Sequence, residues 1–363
     1  MMRVVTFGEI MGRLTPQGTW RLRQSLPGTL EVSFAGAEAN VAASLAMFGL
    51  TARFVSALPT HAIADACVAA LAAVGVQTQH ILRRDDGRLG LYFLETGANQ
   101  RPSQVIYDRD GSTISRTPPD AYAWKEILDG AAWFHVTGIT PAISELAAES
   151  TRAAVQTAKE LGVTVSCDLN FRKKLWRWNG SRSPRDLAER TMRQILPHVD
   201  VLVANEEDCG DVLGIRAGDT DVSAGTLVID RYPDVARSVV EQFPGITHVA
   251  ITLRESISAS HNNWGGMLYN AKEGAAHFAP LAGGEYRPYA ITHIVDRVGA
   301  GDAFAAGLIF AMLTPELASP DRAVAFAAAA SCLAHSILGD FNFSSRSEIE
   351  ALMGGAATGR VIR

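Results

Sequence analysis

One short stretch of the chain combines small residues and a carboxylate in a pattern suited to phosphoryl transfer. Residues 296–302 read Asp-Arg-Val-Gly-Ala-Gly-Asp and run into an apolar, alanine-rich segment. Gly299, Ala300 and Gly301 leave backbone N–H groups uncovered where a helix would begin, and these donors, with the helix dipole, can hold a phosphate. Asp302 would lie beside the phosphate and accept the proton of an attacking hydroxyl. By itself, the stretch is explained equally well as a turn before a helix.

A second stretch, residues 34–42, reads Phe-Ala-Gly-Ala-Glu-Ala-Asn-Val-Ala. Side chains this small let a hydroxyl-bearing ligand approach backbone groups, and the amide of Asn40 both donates and accepts hydrogen bonds. Without the first stretch, a tightly packed turn before a helix is the better interpretation.

Taken together and in this order, the two stretches resemble the signatures of the ribokinase (PfkB) family of carbohydrate kinases. Arg297 stands where the family signature Asp-Thr-x-Gly-Ala-Gly-Asp has Thr, and Ala35 replaces the first Gly of a Gly-Gly pair. The Arg297 departure leaves the anion-binding residues and the base intact. The resemblance implies an α/β fold, a ribokinase-like three-layer sandwich with a mainly parallel central sheet and a small β lid. It also implies that the substrate sugar is bound by Gly36, Ala37, Glu38 and Asn40.

Four further segments resemble one branch of that family, the 2-keto-3-deoxygluconate kinases, which phosphorylate the terminal hydroxyl of a six-carbon keto-deoxy acid. These segments are residues 90–92, 107–112, 168–176 and 339–342. The resemblance implies that the substrate is contacted by Tyr92, Tyr107, Arg109, Arg172 and Asp340.

A sugar acid carries a carboxylate, which planar guanidinium groups bind through paired, charge-assisted hydrogen bonds. Arg109 and Arg172 are the natural candidates for this contact, and for Arg172 the alternative is a contact with the transferred phosphate. Without the resemblance, Arg109 is better interpreted as a solvated hairpin residue between Asp108 and Asp110, and Arg172 as part of a solvated basic turn. Asp340 follows a glycine and is equally well explained by a helix-ending turn.

The nucleotide side is implied by a resemblance of residues 205–208 to the family's Asn-x-x-Glu segment, with Asp208 at the Glu position. Mg²⁺ usually keeps several waters, so Asp208 is expected to act on it through water; an acidic first turn of a helix is the alternative. A Walker A loop is missing. The expected cofactors are ATP and Mg²⁺, with a monovalent cation left open. The implied nucleotide contacts are Asn170, Asn205, Thr252, Arg254, Gly299 and Gly301.

Short apolar runs alternate with helical patterns, which predicts a mainly parallel sheet covered on both faces. The predicted strands are Val4–Phe7, Ala52–Ala57, Trp133–Val136, Thr164–Cys167, Val201–Ala204 and Thr247–Thr252. The predicted helices are Asn40–Phe48, Asp65–Ala73, Ala142–Leu161, Asp186–Leu196, Asp234–Gln242, Ala303–Leu313 and Ala323–Ile337.

Two stretches, residues 13–34 and 88–116, interrupt the alternation, and the second contains the strand-like pieces Leu89–Thr96 and Gln104–Asp108. They are expected to pair as a small sheet within a single domain of residues 1–363, and the resemblance implies a lid that also joins two or more copies of the chain. Two unrelated surface hairpins are the alternative.

Composition narrows the function classes. The 363 residues are 47% hydrophobic, enough for one large α/β domain, and the net charge of -5 offers no basic surplus to attract nucleic acid or an anionic membrane. No membrane-spanning run or signal peptide is evident, so a cytoplasmic location is expected. The four cysteines are widely spaced and are expected to be buried free thiols.

The expected activity is ATP-dependent phosphorylation of 2-keto-3-deoxygluconate at its terminal hydroxyl, giving 2-keto-3-deoxy-6-phosphogluconate. Asp302 would be the base, and residues 299–301 would stabilise the developing charge. The alternatives are a kinase of fructose or 2-keto-3-deoxygalactonate, and a catalytically silent sugar-acid sensor. A dinucleotide-binding oxidoreductase is disfavoured because no Gly-x-Gly-x-x-Gly follows the first strand.

Overall fold

The structure is a computed structural model that describes residues 2–205, 207–216 and 229–355. Its strands are β1 (Arg3–Phe7), β2 (Met11–Thr15), β3 (Glu31–Ala35), β4 (Thr51–Pro59), β5 (Ile81–Arg84), β6 (Gly90–Glu95), β7 (Gln104–Asp108), β8 (Trp133–Thr137), β9 (Thr164–Asp168), β10 (Val201–Ala204), β11 (His248–Ser258), β12 (His261–Asn270), β13 (Ala275–Ala279), β14 (Leu281–Ala282), β15 (Glu285–Tyr286) and β16 (Tyr289–Ile291).

The α-helices follow the same chain order. They are α1 (Leu22–Ser25), α2 (Ala37–Met47), α3 (Ala62–Ala73), α4 (Thr113–Arg116), α5 (Trp124–Leu128), α6 (Ile139–Ile143), α7 (Glu145–Glu160), α8 (Pro184–Ile195), α9 (Asp208–Leu213), α10 (Tyr232–Gln242), α11 (Ala300–Met312), α12 (Pro320–Ala334) and α13 (Arg346–Met353).

The main sheet has the strand order β13-β12-β11-β10-β9-β8-β1-β4-β5, and β16 also pairs with β12. Neighbours from β11 to β5 are parallel, whereas β12 pairs antiparallel with β11, β13 and β16. Strands β8 and β10 are buried along their whole length, as expected of strands covered on both faces. The predicted mainly parallel sheet is confirmed.

Helices cover both faces of the sheet and form two apolar cores. One core lies against α2, α3, α11 and α12, and the other against α5, α7, α8 and α10. The predicted three-layer arrangement is therefore confirmed. Among the described residues, no helix is long and apolar enough to cross a membrane.

One predicted helix was wrong in its continuity. The segment Ala142–Leu161 was expected to be a single helix, but α6 ends at Ile143 and α7 begins at Glu145. Ser144 lies between them in an extended conformation, and its side chain accepts the N–H of Ala147 at 3.0 Å. Such a cap starts a new helix, and alanine-rich periodicity alone does not reveal it.

A second sheet has the order β3-β2-β6-β7 and is built from the two stretches that interrupted the alternation. Its central pair, β2 and β6, is parallel, with Arg13 opposite Tyr92. Side chains alternate between the two faces of a strand, so the residues next to Arg13 and Tyr92 lie on the other face of this sheet. There, paired residues form a row across the four strands. This apolar row consists of Val32, Leu14, Phe93 and Ile106.

The segment after Thr252 also differs from expectation. The predicted strand was expected to end at Thr252, but β11 continues through Arg254 to Ser258 and pairs antiparallel with β12. Arg254 lies opposite Trp264 in that ladder. The polar residues at the end of β11 lack the apolar pattern by which the buried half of the strand was found.

Candidate active site

A cavity of about 330 Å³ lies where the parallel strands end. Asp168 ends β9, Ala204 ends β10, and both line the cavity, as expected for ligand sites outside the carboxyl ends of parallel strands. Every candidate residue from the sequence lines it except Glu38: Gly36, Ala37, Asn40, Tyr92, Tyr107, Arg109, Asn170, Arg172, Asn205, Asp208, Thr252, Arg254, Gly299, Ala300, Gly301, Asp302 and Asp340.

Residues 298–301, here called the anion turn, lead into α11. Gly299 is the N-cap of that helix with φ +85°, and a Cβ atom there would approach the carbonyl oxygen of Asp340 to 2.5 Å. This position therefore requires glycine. At Gly301 a Cβ would meet nothing within 4 Å, so the start of the helix is open to the cavity. The turn can accept an anion at a helix N-terminus.

Asp302 lies in the first turn of α11 and is half-buried at the cavity wall. Its Oδ2 accepts a hydrogen bond from Nδ2 of Asn40 at 2.7 Å. Burial raises the pKa of Asp302 to about 7, against the opposing effect of the Asn40 hydrogen bond. A carboxylate with this pKa is suited to accept a proton near neutral pH.

Asn40 is held in place by the turn that precedes α2. Its Oδ1 accepts the N–H of Gly36 at 3.2 Å, while its Nδ2 donates to Asp302. At Gly36 a Cβ would lie 2.0 Å from the carbonyl oxygen of Glu9, so only glycine permits this approach between the end of β3 and the segment after β1. The sequence offered a tightly packed turn and a ligand-binding turn as alternatives, and at Gly36 both occur together.

The structure does not place Glu38 at the cavity. Its side chain is buried, and Oε1 accepts hydrogen bonds from the Thr137 hydroxyl at 2.7 Å and the Thr140 hydroxyl at 2.9 Å. The expected sugar contact is therefore not supported. The physical reason is direction, because successive residues at the start of α2 point to different sides of the helix.

Arg109 lines the cavity but is not the solvated residue that its neighbours suggested. Its guanidinium is 5% exposed and pairs with Glu9, whose side chain is 2% exposed, with Nε at 2.7 Å from Oε2. The guanidinium also lies 5.6 Å from the centre of the Tyr107 ring. A substrate carboxylate would therefore meet an arginine that already has an anionic partner.

Arg172 has a different environment. It is exposed, lines the cavity, and donates from Nη1 to the carbonyl oxygen of Phe171 at 3.0 Å. Among the residues that the structure describes, no carboxylate lies within 4 Å of its guanidinium. Of the two candidate arginines, Arg172 is thus the one whose charge is available to a ligand.

Asp340 and Tyr92 contact each other. The Tyr92 hydroxyl lies 3.0 Å from Oδ1 and 2.9 Å from Oδ2 of Asp340. Asp340 also pairs with the buried guanidinium of Arg13, which in turn pairs with Asp296. The carboxylate expected to bind substrate hydroxyls is therefore already engaged by two protein donors.

On the nucleotide side, Asp208 is committed to the backbone. Its Oδ1 accepts the N–H of Phe171 and its Oδ2 the N–H of Asn205, each at 3.1 Å. In the reverse direction, Oδ1 of Asn205 accepts the N–H of Asp208 at 2.9 Å. This is the helix-start role that was the alternative to a metal role.

Asp168 is a second carboxylate at this wall. Its Oδ1 accepts the N–H of Asn170 at 3.1 Å, while Oδ2 has no hydrogen-bond partner among the described residues. Burial, with repulsion from Asp208 and Asp302, raises the pKa of Asp168 well above its usual value. Oδ1 of Asn170 is buried and also lacks a partner within the described ranges.

Arg297, which replaces the family's Thr, joins the anion turn to the β11–β12 hairpin. Its Nη2 donates to the carbonyl oxygens of Ser258 and Ala259, both at 3.1 Å, and to Oδ1 of Asn262 at 3.3 Å. Arg254 and Thr252 line the cavity from β11. Arg297 therefore anchors the β11–β12 hairpin to the anion turn.

Glu9, Arg13 and Asp168 were missed as site residues. Glu9 follows the first strand, and Asp168 was already part of the segment that resembled the family branch. A charged residue at or just beyond the carboxyl end of a buried parallel strand was a usable signal for both. Arg13 had no such signal, because its partners Asp296 and Asp340 are distant in the chain.

Comparison with known proteins agrees with this geometry. The model of the pfkB family of carbohydrate kinases matches residues 1–253 and 267–344. A 2-dehydro-3-deoxygalactonokinase from Haloferax volcanii is 33% identical over 356 residues, which cover 98% of this chain and 98% of the relative.

Solved structures support the same grouping. The crystal structure of 2-dehydro-3-deoxygluconokinase from Thermotoga maritima is 45% identical, with a TM-score of 0.87 and 98% of each chain covered. Fructokinase with bound ATP from Xylella fastidiosa is 21% identical, with a TM-score of 0.74 and coverage of 98% of this chain and 99% of that one, a likeness of fold alone. The chain therefore belongs to the pfkB family of carbohydrate kinases and has their ribokinase-like fold.

Proposed function

We propose that this carbohydrate kinase uses ATP to phosphorylate the terminal hydroxyl of 2-keto-3-deoxygluconate, giving 2-keto-3-deoxy-6-phosphogluconate. One observation carries the proposal: Asp302, the anion turn and Arg172 line a single cavity. Together they supply a base, a site for a phosphoryl group and a free cation for a sugar acid. The 45% identity to the Thermotoga maritima 2-dehydro-3-deoxygluconokinase supports the same substrate under its other name.

In the proposed reaction, Asp302 takes the proton of the terminal hydroxyl as that oxygen bonds to the γ-phosphorus of ATP and the bond to ADP breaks. The N–H groups at the start of α11 stabilise the charge on the transferred group. Asn40 holds the carboxylate of Asp302 in place through the 2.7 Å hydrogen bond. General base catalysis of this kind contributes roughly 10²–10⁴-fold in rate.

The residues present fit a magnesium ion that arrives with the nucleotide. Oδ2 of Asp168 and Oδ1 of Asn170 are oxygen atoms without partners among the described residues, and oxygen is the ligand type that Mg²⁺ prefers. Within the described ranges, no group of three or more His, Cys, Asp or Glu could hold a metal, which fits an ion bound mainly by phosphates and water. When bound, Mg²⁺ would neutralise phosphate charge; Asp208 would act on it only indirectly.

The carboxylate of the sugar acid is assigned to Arg172. This assignment is supported by the exposure of Arg172 at the cavity and by the pairing of Arg109 with Glu9. Arg109, Tyr92 and Tyr107 would then contact the sugar from the inner face of the four-stranded sheet.

A second substrate is favoured by one observation. The Haloferax volcanii relative, similar over nearly its whole length, is a 2-dehydro-3-deoxygalactonokinase. The two acids share the carboxylate, the keto group and the terminal hydroxyl and differ in configuration at one carbon. The charge arguments above apply equally to both.

We infer that the four-stranded sheet acts as a lid and joins two copies of the chain. Tyr92 and Tyr107, on its inner face, line the cavity. On its outer face, Val32 is 61% exposed and Ile106 is 53% exposed, and both belong to the apolar row. Exposed apolar rows of this kind favour association with another surface.

The test is ATP consumption with 2-keto-3-deoxygluconate, 2-keto-3-deoxygalactonate and fructose. The phosphorylated carbon is identified in each product. A parallel series replaces potassium by sodium to examine the monovalent cation that the sequence left open. The highest kcat/KM for the gluconate supports the proposal, and preference for the galactonate selects the second candidate. Preference for fructose contradicts sugar-acid recognition. Binding of the acids without ATP consumption would identify a silent sensor.

A further inference from the structure

Arg13 is a buried cation at the centre of the four-stranded sheet. Its side chain is 2% exposed, and its two terminal nitrogens pair with different carboxylates, Nη1 with Asp340 and Nη2 with Asp296. Its Nε donates to the Thr15 hydroxyl at 3.1 Å. All three nitrogens of the guanidinium are thus used inside the protein, so Arg13 is not a substrate-binding arginine.

The two carboxylates hold the chain around the anion turn. Asp296 accepts the N–H of Val298 at 3.1 Å through Oδ1 and the N–H of Gly339 at 3.2 Å through Oδ2. The backbone of Asp340 packs against Gly299 so closely that a Cβ there would be 2.5 Å from its carbonyl oxygen. Both partners of Arg13 therefore contact the loop that is proposed to hold phosphate.

Without Arg13, the two carboxylates of this cluster would repel each other. Asp296 and Asp340 carry like charges and are both buried, with side chains 2% and 4% exposed. Burial raises the pKa of Asp340, and Arg13 opposes that shift. A buried carboxylate that loses its cation is strongly destabilised in its ionised form.

We propose that Arg13 is a positioning residue for phosphoryl transfer. It holds the anion turn and the turn at Gly339 and Asp340 together and docks the four-stranded sheet onto both. The inference rests on the proposed phosphoryl transfer but does not depend on which sugar is the acceptor. A guanidinium suits this role because its planar fork can bridge two carboxylates, whereas a lysine ammonium is a single point charge.

Asp302 lies among several charged and polar groups. Asn40 and Glu38 face it from α2, Arg172 and Asp168 from the segment at the end of β9, and Asp340 from the turn after α12. Without Arg13, the buried carboxylate of Asp340 takes up a proton more readily. A neutral Asp340 no longer raises the pKa of Asp302, so the pH at which the base becomes ionised falls.

The experiment compares Arg13→Gln, Arg13→Lys and Arg13→Gln with Asp340→Asn. The matched control is Arg88→Gln, because Arg88 precedes the same sheet and pairs with Asp108 at the surface, where their side chains are 40% and 50% exposed. Each protein is assayed at saturating MgATP with the acceptor that the wild type uses best, and kcat/KM for that acceptor is followed from pH 5 to 9. MgATP binding without acceptor is measured by calorimetry, and folding by circular dichroism.

For Arg13→Gln we expect at least a tenfold loss of kcat and of MgATP affinity, with the acid limb of the pH profile moved to lower pH. Arg13→Lys should keep the wild-type acid limb, because the charge is retained, but lose kcat by at least tenfold because the fork is absent. Adding Asp340→Asn to Arg13→Gln should leave the limb close to that of Arg13→Gln, because residue 340 is uncharged in both. Arg88→Gln should match the wild type.

The proposal is overturned if folded Arg13→Gln has kcat within twofold of the wild type, or if its acid limb does not move. If Arg13→Gln does not fold, Arg13→Lys decides by the same kcat and MgATP criteria, and failure of both to fold makes Arg13 a folding residue only. A wild-type chain that phosphorylates no sugar acid would contradict the proposed substrate. The MgATP affinities of the variants would still decide the role of Arg13.

Discussion

Asn40 and Asp302 are 262 positions apart in the chain and meet in a hydrogen bond of 2.7 Å between Nδ2 and Oδ2. The bond joins the first turns of α2 and α11, the two helices that carry the two sequence signatures. It orients the carboxylate of Asp302 at the cavity wall. A residue of one signature, Asn40, thus holds the carboxylate of a residue of the other, Asp302.

Replacement of the proposed base should separate catalysis from binding. We expect Asp302→Asn to lower kcat by roughly 10²–10⁴-fold, because the amide keeps the shape of the side chain but does not accept the hydroxyl proton. Acceptor binding, measured by calorimetry without ATP, should stay close to that of the wild type. Turnover within tenfold of the wild type would remove Asp302 from the role of base.

The pH dependence should follow the ionisation of the same group. Since burial raises the pKa of Asp302 to about 7 and the base acts in its ionised form, kcat/KM should fall as pH decreases through that value. Asn40→Ala removes a hydrogen bond that lowers this pKa, so the acid limb should move to higher pH. A limb that stays in place in Asn40→Ala would show that another group controls it.

The two cavity arginines should respond differently to substitution. Arg172→Ala should raise KM for the sugar acid more than for fructose and leave stability nearly unchanged, because its guanidinium is exposed. Arg109→Ala should lower the free energy of unfolding by about 3–5 kcal/mol, since it leaves Glu9 as a buried carboxylate without its cation. Steady-state kinetics and urea unfolding measure the two effects, and equal behaviour of both variants would contradict the assignment.

The two glycines of the anion turn provide a matched pair. Gly301→Ala should fold normally, since the new methyl group meets no atom within 4 Å, but it should weaken MgATP use by covering the open start of α11. Gly299→Ala should cost about 1–2 kcal/mol for its left-handed conformation, in addition to the clash with Asp340. Wild-type kinetics for Gly301→Ala would argue against phosphate at this turn.

The oligomer prediction is tested on the apolar row. Ile106→Asp and Val32→Asp place a charge at its two most exposed positions and should dissociate an oligomer joined through the sheet. The measurement is sedimentation velocity across a range of concentrations, with Ile63→Asp as a control because Ile63 is 59% exposed on α3, outside the row. A monomeric wild type, or an oligomer that survives both substitutions, would contradict this interface.

The sequence by itself determined the features that depend on neighbouring residues. Gly299, Ala300, Gly301 and Asp302 are adjacent, so a turn, a helix start and a carboxylate come together wherever that segment folds as a helix. Alternating apolar runs and helical patterns likewise led to the parallel sheet, whose strand ends form the cavity wall. Local chemistry and periodicity were sufficient for these conclusions.

Only the tertiary structure decided which charges remain available. Arg109 is paired with Glu9, 100 positions away, Arg13 with Asp296 and Asp340, and Glu38 with threonines rather than the cavity. The sequence neighbours of a charged residue do not show which residue it pairs with, because pairing depends on which strands and turns pack together and exclude water. Arg172 became the available cation for the same reason: the fold leaves it exposed at the cavity.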